Sequence, residues 1–268
     1  TCYFKSALCT YAAQGGQLHI LKWARERGCV WTKSACSAAA LNGHLTVLKW
    51  IKLNGCDWDE TTCENAARNG HLSVLKWARE QNPPCPWSVR VCSYAAEGGH
   101  FEAIKWAHAN GCELTKYVCT CAARSGSLNI LKWAVEHGCG WHKQECAYTA
   151  AEGGYVNVVN WAIEHGCPWN TTICSHAAKG GHFDMLKWAR LHRCPWNAAT
   201  CEYAAENGHL DILKWARLNK CKWNIIVCLN AALNGHLDIL IWARENNCKW
   251  SSRVCEYAAI NGHLDVLK

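Results

Sequence analysis

Long apolar runs are missing from this chain of 268 residues. None approaches 18 residues, which excludes a membrane-spanning helix. Charge is scarce too, at 18% Asp, Glu, Lys and Arg with half the residues apolar, so the chain is no disordered acidic or basic tail. The net charge of +7 is too mild to indicate nucleic acid by itself. The opening Thr1-Cys2-Tyr3-Phe4-Lys5 is not a signal peptide. No Ser/His/Asp set or carboxylate pair stands out and no phosphate-cradling loop is present, so no catalytic residue, cofactor or small-molecule substrate is expected. Met, Phe and Pro number only 1, 3 and 5. Against these stand 21 Cys and 17 Trp, in a chain too long to be a small disulfide-stapled module.

The Cys residues fall on a lattice. One series is Cys9, Cys36, Cys63, Cys92, Cys119, Cys146, Cys174, Cys201, Cys228 and Cys255. A second runs seven residues ahead of it, from Cys2 and Cys29 to Cys221 and Cys248, and only Cys121 stands outside. Trp divides in the same way: nine, from Trp23 to Trp242, follow the first series, and eight, from Trp31 to Trp250, follow the second by two residues. Leu114 and Phe4 stand in where the second Trp is missing. The chain is therefore a tandem repeat of about 27 residues, a period that means a solenoid or array.

One copy reads clearly from Asn197 to Trp223. Asn197 is an N-cap, a slot filled elsewhere by Thr32, Asp59, Ser88, Thr115, Asn170, Asn224 and Ser251. A short helix A follows, with Cys201, Ala204 and Ala205 on one face, and Gly208 ends it. Helix B carries Leu210, Ile212, Leu213, Trp215 and Ala216, apolar around most of its circumference and so expected to be buried. Helices of about ten residues do not stand alone in water. Their stability has to come from stacking each pair on the next.

The run Ala204 to Lys214, Ala-Ala-Glu-Asn-Gly-His-Leu-Asp-Ile-Leu-Lys, resembles the core of the ankyrin repeat, and the likeness extends over all ten copies. Two departures stand out. Thr200-Cys201-Glu202 replaces the family's Thr-Pro-Leu-His opening, and the stretch joining helix B to the next helix A is about six residues shorter. The chain is similar to the shortened, Cys- and Trp-rich ankyrin-like arrays of giant viruses, algae and oomycetes. The resemblance implies an all-α solenoid of about ten stacked helix-turn-helix units without β-hairpin fingers, and a function in protein–protein binding.

Two copies break the period. Gln81-Asn82-Pro83-Pro84 lengthens one loop, and one extra residue between Cys146 and Ala150 suggests a π-bulge in helix A. Residues 1–268 read as one array with incomplete copies and no polar cap at either end, hence as a window from a longer solenoid or one able to self-associate through its ends.

Three readings of the Cys residues are open. They are buried small apolar residues, the first series lying beside Ala-Ala. Alternatively, each loop Cys bonds the helix-A Cys seven residues on, which would go with an oxidising compartment. The third is zinc with His as a further ligand, against which stand the C-x6-C spacing and the Gln17, Ser127 and Tyr155 that replace His; no metal ligand is assigned. Reduced thiols go with a cytoplasmic protein, oxidised ones with a virion or extracellular assembly. The Gly-His histidines (His44, His71, His100, His182, His209, His236, His263) are read as satisfying backbone groups and packing between copies.

Comparing copies gives the candidate binding surface. Counted from the helix-A Cys, positions 0, +3 and +4 are nearly fixed, whereas −2, +1 and +5 vary and fall on the opposite face. This stripe carries Arg68, Arg90, Glu97, Tyr117 and Arg124. Its apolar end is Ile225, Ile226, Leu229 and Leu233 in the ninth copy, continued by Ile260 in the tenth, with Ile241 replacing the usual Lys on helix B. Exposed contiguous apolar surface marks interaction sites. The Lys before each helix-B Trp, with Arg25, Arg79, Arg190, Arg217 and Arg244 beside it, forms a basic row. That row reads as a solvated face with i,i+4 pairs such as Lys22–Glu26, Lys76–Glu80 and Lys132–Glu136, and nucleic acid is not expected to be the partner. The expected function is a non-catalytic scaffold presenting the helix-A stripe to a protein. The alternatives are a structural component of a larger assembly and, more remotely, thiol-based metal sequestration.

Overall fold

The computed structural model describes the backbone of residues 2–268 and side chains from Ser6 onward. Cys2 and Phe4, which the lattice includes, lie outside the described side chains. Every described element is a helix and no strand occurs among the described residues. Two compact units divide between Trp141 and His142. The first holds α1 (Cys2–Gln14), α2 (Leu18–Glu26), α3 (Lys33–Leu41), α4 (Leu45–Leu53), α5 (Glu60–Arg68), α6 (Leu72–Glu80), α7 (Arg90–Glu97), α8 (Phe101–Ala109), α9 (Lys116–Arg124) and α10 (Leu128–Glu136). The second holds α11 (Lys143–Glu152), α12 (Val156–Glu164), α13 (Thr171–Lys179), α14 (Phe183–Leu191), α15 (Ala198–Glu206), α16 (Leu210–Leu218), α17 (Ile226–Leu233), α18 (Leu237–Glu245), α19 (Arg253–Ile260) and α20 (Leu264–Leu267). Odd numbers are A helices and even numbers B helices, so the expected all-α, fingerless solenoid pattern is present in each unit.

Within a unit, successive A helices pack directly on one another and each B helix packs on its own A helix. The small side chains permit this approach. Cys201, Ala204 and Ala205 are fully buried, as are Cys63, Ala66 and Ala67. Bulkier residues there would push the A helices apart and leave gaps along the seam. Helix B differs from expectation: only one face is buried, as Ile212, Leu213 and Ala216 in α16, while Leu210 and Trp215 are half-buried. The Trp lies instead edge-on against the loop Trp that precedes its helix pair, at 5.6 Å for Trp215–Trp196 and for Trp242–Trp223.

N-capping follows the sequence at Asp59, Asn170 and Asn197, whose side chains accept from the backbone N–H two residues on. Ser88 and Asn224 do the same for Arg90 and Ile226. Thr32 and Thr115 hold the cap position without that bond. The expected π-bulge is not formed. α11 is a continuous α-helix of 10 residues, one longer than most A helices, so the extra residue is absorbed by lengthening the helix.

The Gly-His pair explains how neighbouring copies lock. Gly43 has φ +72, and a Cβ there would lie 2.5 Å from Nδ1 of His71 in the next copy. That His sits on the glycine, and its Nε2–H donates to Leu41 O at 3.1 Å. His44 reaches Gln14 O at 3.0 Å, His236 reaches Glu206 O at 3.1 Å, and His263 reaches Leu233 O at 3.0 Å. The imidazole thus satisfies a C-terminal carbonyl of the preceding A helix while packing on its turn, as the residues led us to expect.

The lattice cysteines have a comparable structural part. The two thiols that meet are 20 residues apart within one copy, a correction to the seven-residue pairing considered from the sequence: Cys119 Sγ lies 3.4 Å from Cys139 Sγ. The same pairing recurs as Cys36 with Cys56, Cys174 with Cys194, Cys201 with Cys221 and Cys228 with Cys248. Most loop thiols also donate back to the cap residue that opens their copy, as Cys139 to Thr115 O at 3.1 Å and Cys221 to Asn197 O at 3.2 Å, whereas Cys167 donates to Pro168 O. A thiol chain therefore clips the loop after helix B to the start of helix A. Hydrogen bonding to the loop thiol, followed by burial, pushes the Cys36, Cys174, Cys201 and Cys228 thiols far above the ordinary range, so these side chains are protonated donors at neutral pH.

Candidate functional site

The stripe is built by register. Positions −2 and +5 of the A helices point away from the Cys-Ala-Ala seam; in the third to fifth copies they are exposed, whereas Leu41, Thr172, Lys179, Ala199, Glu206 and Leu233 are half-buried. Arg68, Arg90, Glu97, Tyr117 and Arg124 are all exposed, Tyr117 at 60%. Arg68 lies 3.9 Å over the Tyr94 ring and 3.4 Å from the Glu97 carboxylate, so it bridges two copies. In the second unit, Glu152 accepts from Lys179 at 2.9 Å and from His176 at 3.0 Å. Burial raises the Glu152 pKa, but the bonds from Lys179 and His176 lower it further, leaving a net fall. Part of the stripe is thus organised by copy-to-copy ion pairs, each worth little at this exposure.

Position +1 does not belong to the stripe, a correction with a clear cause. Glu64, Ser93, Thr120 and Ser175 occupy it and are buried. The residue there faces the cap of the next copy: Glu64 accepts from Ser88 Oγ at 2.7 Å, and Glu202 accepts from Asn224 Nδ2 at 2.7 Å. Leu229 occupies this position and is only 7% exposed, so it is seam packing and cannot form part of an exposed patch. Ile225 and Leu233 are half-buried, Ile226 is exposed, and Ile260 is 72% exposed. The apolar end of the stripe is therefore narrower than the sequence suggested.

The basic row has a structural explanation that the sequence did not show. Where Arg stands two residues after a helix-B Trp, it folds onto the next loop. Arg25 lies 4.0 Å over Trp31, Arg79 4.2 Å over Trp87, and Arg217 4.4 Å over Trp223. Arg25 and Arg79 also donate to Cys29 O and Cys85 O, at 2.9 and 2.7 Å, and Arg217 to Cys221 O. Lys52 performs both parts in its copy, 4.4 Å over Trp58 and 3.3 Å from Cys56 O. Cation–π contact plus a charge-assisted bond fixes each loop. The expected pairs Lys22–Glu26, Lys76–Glu80 and Lys132–Glu136 are not among the ion pairs of the described residues. The helix-B pairs that do form are i,i+3, at Lys105–Glu102 and Lys187–Asp184. Among the described residues no group of three or more His, Cys, Asp or Glu comes together in a way that would hold a metal ion. No described helix is long and apolar enough to cross a membrane.

No family model and no curated protein matches the chain. Among solved structures it is similar to the human ASB11 ankyrin repeat domain, at 18% identity and a TM-score of 0.45, over 60% of this chain and 84% of that one. The likeness of the copies to ankyrin repeats rests on their own residues: the buried Ala-Ala seam, the positive-φ glycine with its His, and the paired short helices.

Proposed function

We propose that this chain is a non-catalytic protein-interaction scaffold whose A helices present positions −2 and +5 to a protein partner. The observation that carries the reading is the division of each A helix. Its Cys-Ala-Ala face is nearly invariant and buried between copies, whereas Arg68, Arg90, Glu97, Tyr117 and Arg124 vary from copy to copy and stay open. Packing places no common demand on those outward positions, so they are available to encode a partner. Tyr and Arg are the residue types that anchor interfaces. Many short copies also suit extended binding surfaces, since each contributes one or two side chains.

The test places a photo-crosslinking residue at Tyr117 or Arg124 and, as a control, at exposed Lys132 on the B helix α10. A defined adduct should form at the first two positions and not at the control, and it should disappear when Arg68→Ala/Arg90→Ala is added to either. Adducts that survive these substitutions, or none at the stripe, would overturn the reading.

A further inference from the structure

The seventh and eighth copies combine two departures from the repeat; Leu191 lines one groove, and Arg193, Leu218 and Lys220 stand within two residues of its lining. Three residues after the helix-B Trp five copies carry Glu26, Glu80, Glu136, Glu164 and Glu245 and the fourth has Ala109, whereas Leu191 and Leu218 stand here, as Leu53 does in the second copy. The Leu191 and Leu218 side chains are each 82% exposed, an unfavourable placement that packing within the unit does not relieve. Two residues further on stand Gly28, Gly55, Gly111, Gly138 and Gly166, all at positive φ, but here the cations Arg193 and Lys220, and in the ninth copy Asn247. At Arg193 and Lys220 the backbone keeps the left-handed conformation, with φ 60 and 65, although these residues have no intrinsic preference for it. A cation there faces the C-terminal carbonyls of helix B, yet the glycine copies manage without one. Strain and exposed Leu thus recur together, side by side, in adjacent copies.

Beside Leu191 lies a concavity of about 420 Å³, lined also by Lys187, Arg190, Trp196, Trp215 and Asn219. Its aromatic wall is fixed. Trp215 lies edge-on between Trp196 at 5.6 Å and Phe183 at 5.5 Å, and Arg190 stacks 4.3 Å over Trp196. Asn219 is held by its bond to Trp215 O at 2.9 Å. Across residues 183–196 and 210–223 there are seven Lys and Arg against Asp184 and Asp211; Asp184 pairs with Lys187 at 3.6 Å, and an excess of five cations remains.

We propose that this groove, between the C-terminal ends of α14 and α16, docks an acidic peptide segment of a partner protein in which an aliphatic or aromatic residue adjoins Asp or Glu. The apolar residue enters between Leu191 and the Trp196–Trp215 wall, and the flanking carboxylates meet Arg193, Lys220 and the outer edge of Lys187. Charge complementarity selects the acids. A nucleic acid would use the cations but leave two exposed Leu side chains against phosphate, and a flat bilayer surface does not fill a concavity. The inference rests on the scaffold reading in that the occupant is a protein, but the surface is distinct from the A-helix stripe.

The test uses variants that restore the repeat's own residues and so keep the fold: Leu191→Glu/Leu218→Glu and Arg193→Gly/Lys220→Gly. A displayed library of random dodecapeptides is selected on the unmodified protein and counter-selected on each variant. The retained sequences should be enriched in Asp or Glu next to Leu, Phe or Trp. A synthetic peptide of that class should bind at least tenfold more weakly to either variant, and more weakly still with rising salt. It should bind the Arg68→Ala/Tyr117→Ala stripe variant unchanged, which separates failure of this site from failure of the stripe. No difference in retention between the protein and its variants, or enrichment without acidic residues, would overturn the proposal. So would variant-sensitive binding of polyuridylate or phosphatidylserine vesicles in place of any such peptide.

Discussion

Replacing Gly43 by Ala asks the Gly-His lock two separable questions. The first is conformational. At φ +72 an L-residue costs roughly 1–2 kcal/mol, whatever surrounds it. The second is steric. The new Cβ would stand 2.5 Å from Nδ1 and 2.7 Å from Cε1 of His71, so the ring must move off the turn. That forfeits its 3.1 Å bond to Leu41 O, which contributes roughly 0.5–1.5 kcal/mol, together with the ring's packing. Gly55→Ala isolates the first cost, because φ there is +82 and nothing lies within 4 Å of its Cβ. We expect Gly55→Ala to destabilise by about 1 kcal/mol and Gly43→Ala by about 2–3 kcal/mol. In a His71→Ala background the excess should vanish, leaving the Gly55 value. Urea unfolding read by Trp fluorescence gives the comparison. Hydrogen exchange of amides in α3 and α6 shows whether the loss is local to the joined copies, as expected of an array whose energy adds by neighbours. Equal losses for the two glycines, or an undiminished excess without His71, would refute the reasoning.

Three further outcomes follow from the same contacts. Burial raises the Asp59 pKa, but bonds from Lys33 and Thr61 lower it further, so the folded value lies below the unfolded one. Its contribution is full above the ordinary Asp range near pH ~3.9 and lost as pH falls through the lower folded value; Asp59→Asn, which keeps a capping side chain, should therefore be less stable than the parent at pH 6 and indistinguishable at pH 2. Arg217→Ala removes both the contact over Trp223 and the bond to Cys221 O and should cost about 1–2 kcal/mol. Arg217→Lys should recover much of that, as Lys52 does in its own copy, and a Lys variant as damaging as Ala would sink the account. In a thiol titration, Cys255 should react first among the described cysteines and Cys121 next, since the others are buried. Denaturation without reductant should then release all 21 thiols, and a shortfall would show disulfides.

The repeat, its period and its helix pairs were legible because each copy restates the same small vocabulary. Cys-Ala-Ala at i, i+3 and i+4 marks one face of a helix, Gly-His marks a turn, and ten copies average out local exceptions. The −2 and +5 stripe was legible for the same reason, since invariant and variable positions separate by angle alone. Angle was not enough at +1. Leu229 and Glu64 lie well away from the invariant face, yet the cap of the following copy comes down on that side of the helix and buries them.

The thiol partners were hidden for a related reason. A Cys seven residues ahead is near in sequence, but the helix hairpin returns the chain beside its own start, so Cys139 meets Cys119. The basic row looked solvated because helix B by itself shows its Arg side chains to water; only the loop folding back puts Trp31 or Trp223 beneath them. The oddities at Leu191, Arg193, Leu218 and Lys220 were also written in the sequence. The groove that Leu191 lines was not, because it depends on the seventh and eighth B helices lying side by side. Sequence periodicity thus determined which residues share a face and which copies depart from the rule. Tertiary structure decided which faces are covered, because burial in a stacked array is set by the neighbouring copy and not by the helix that carries the residue.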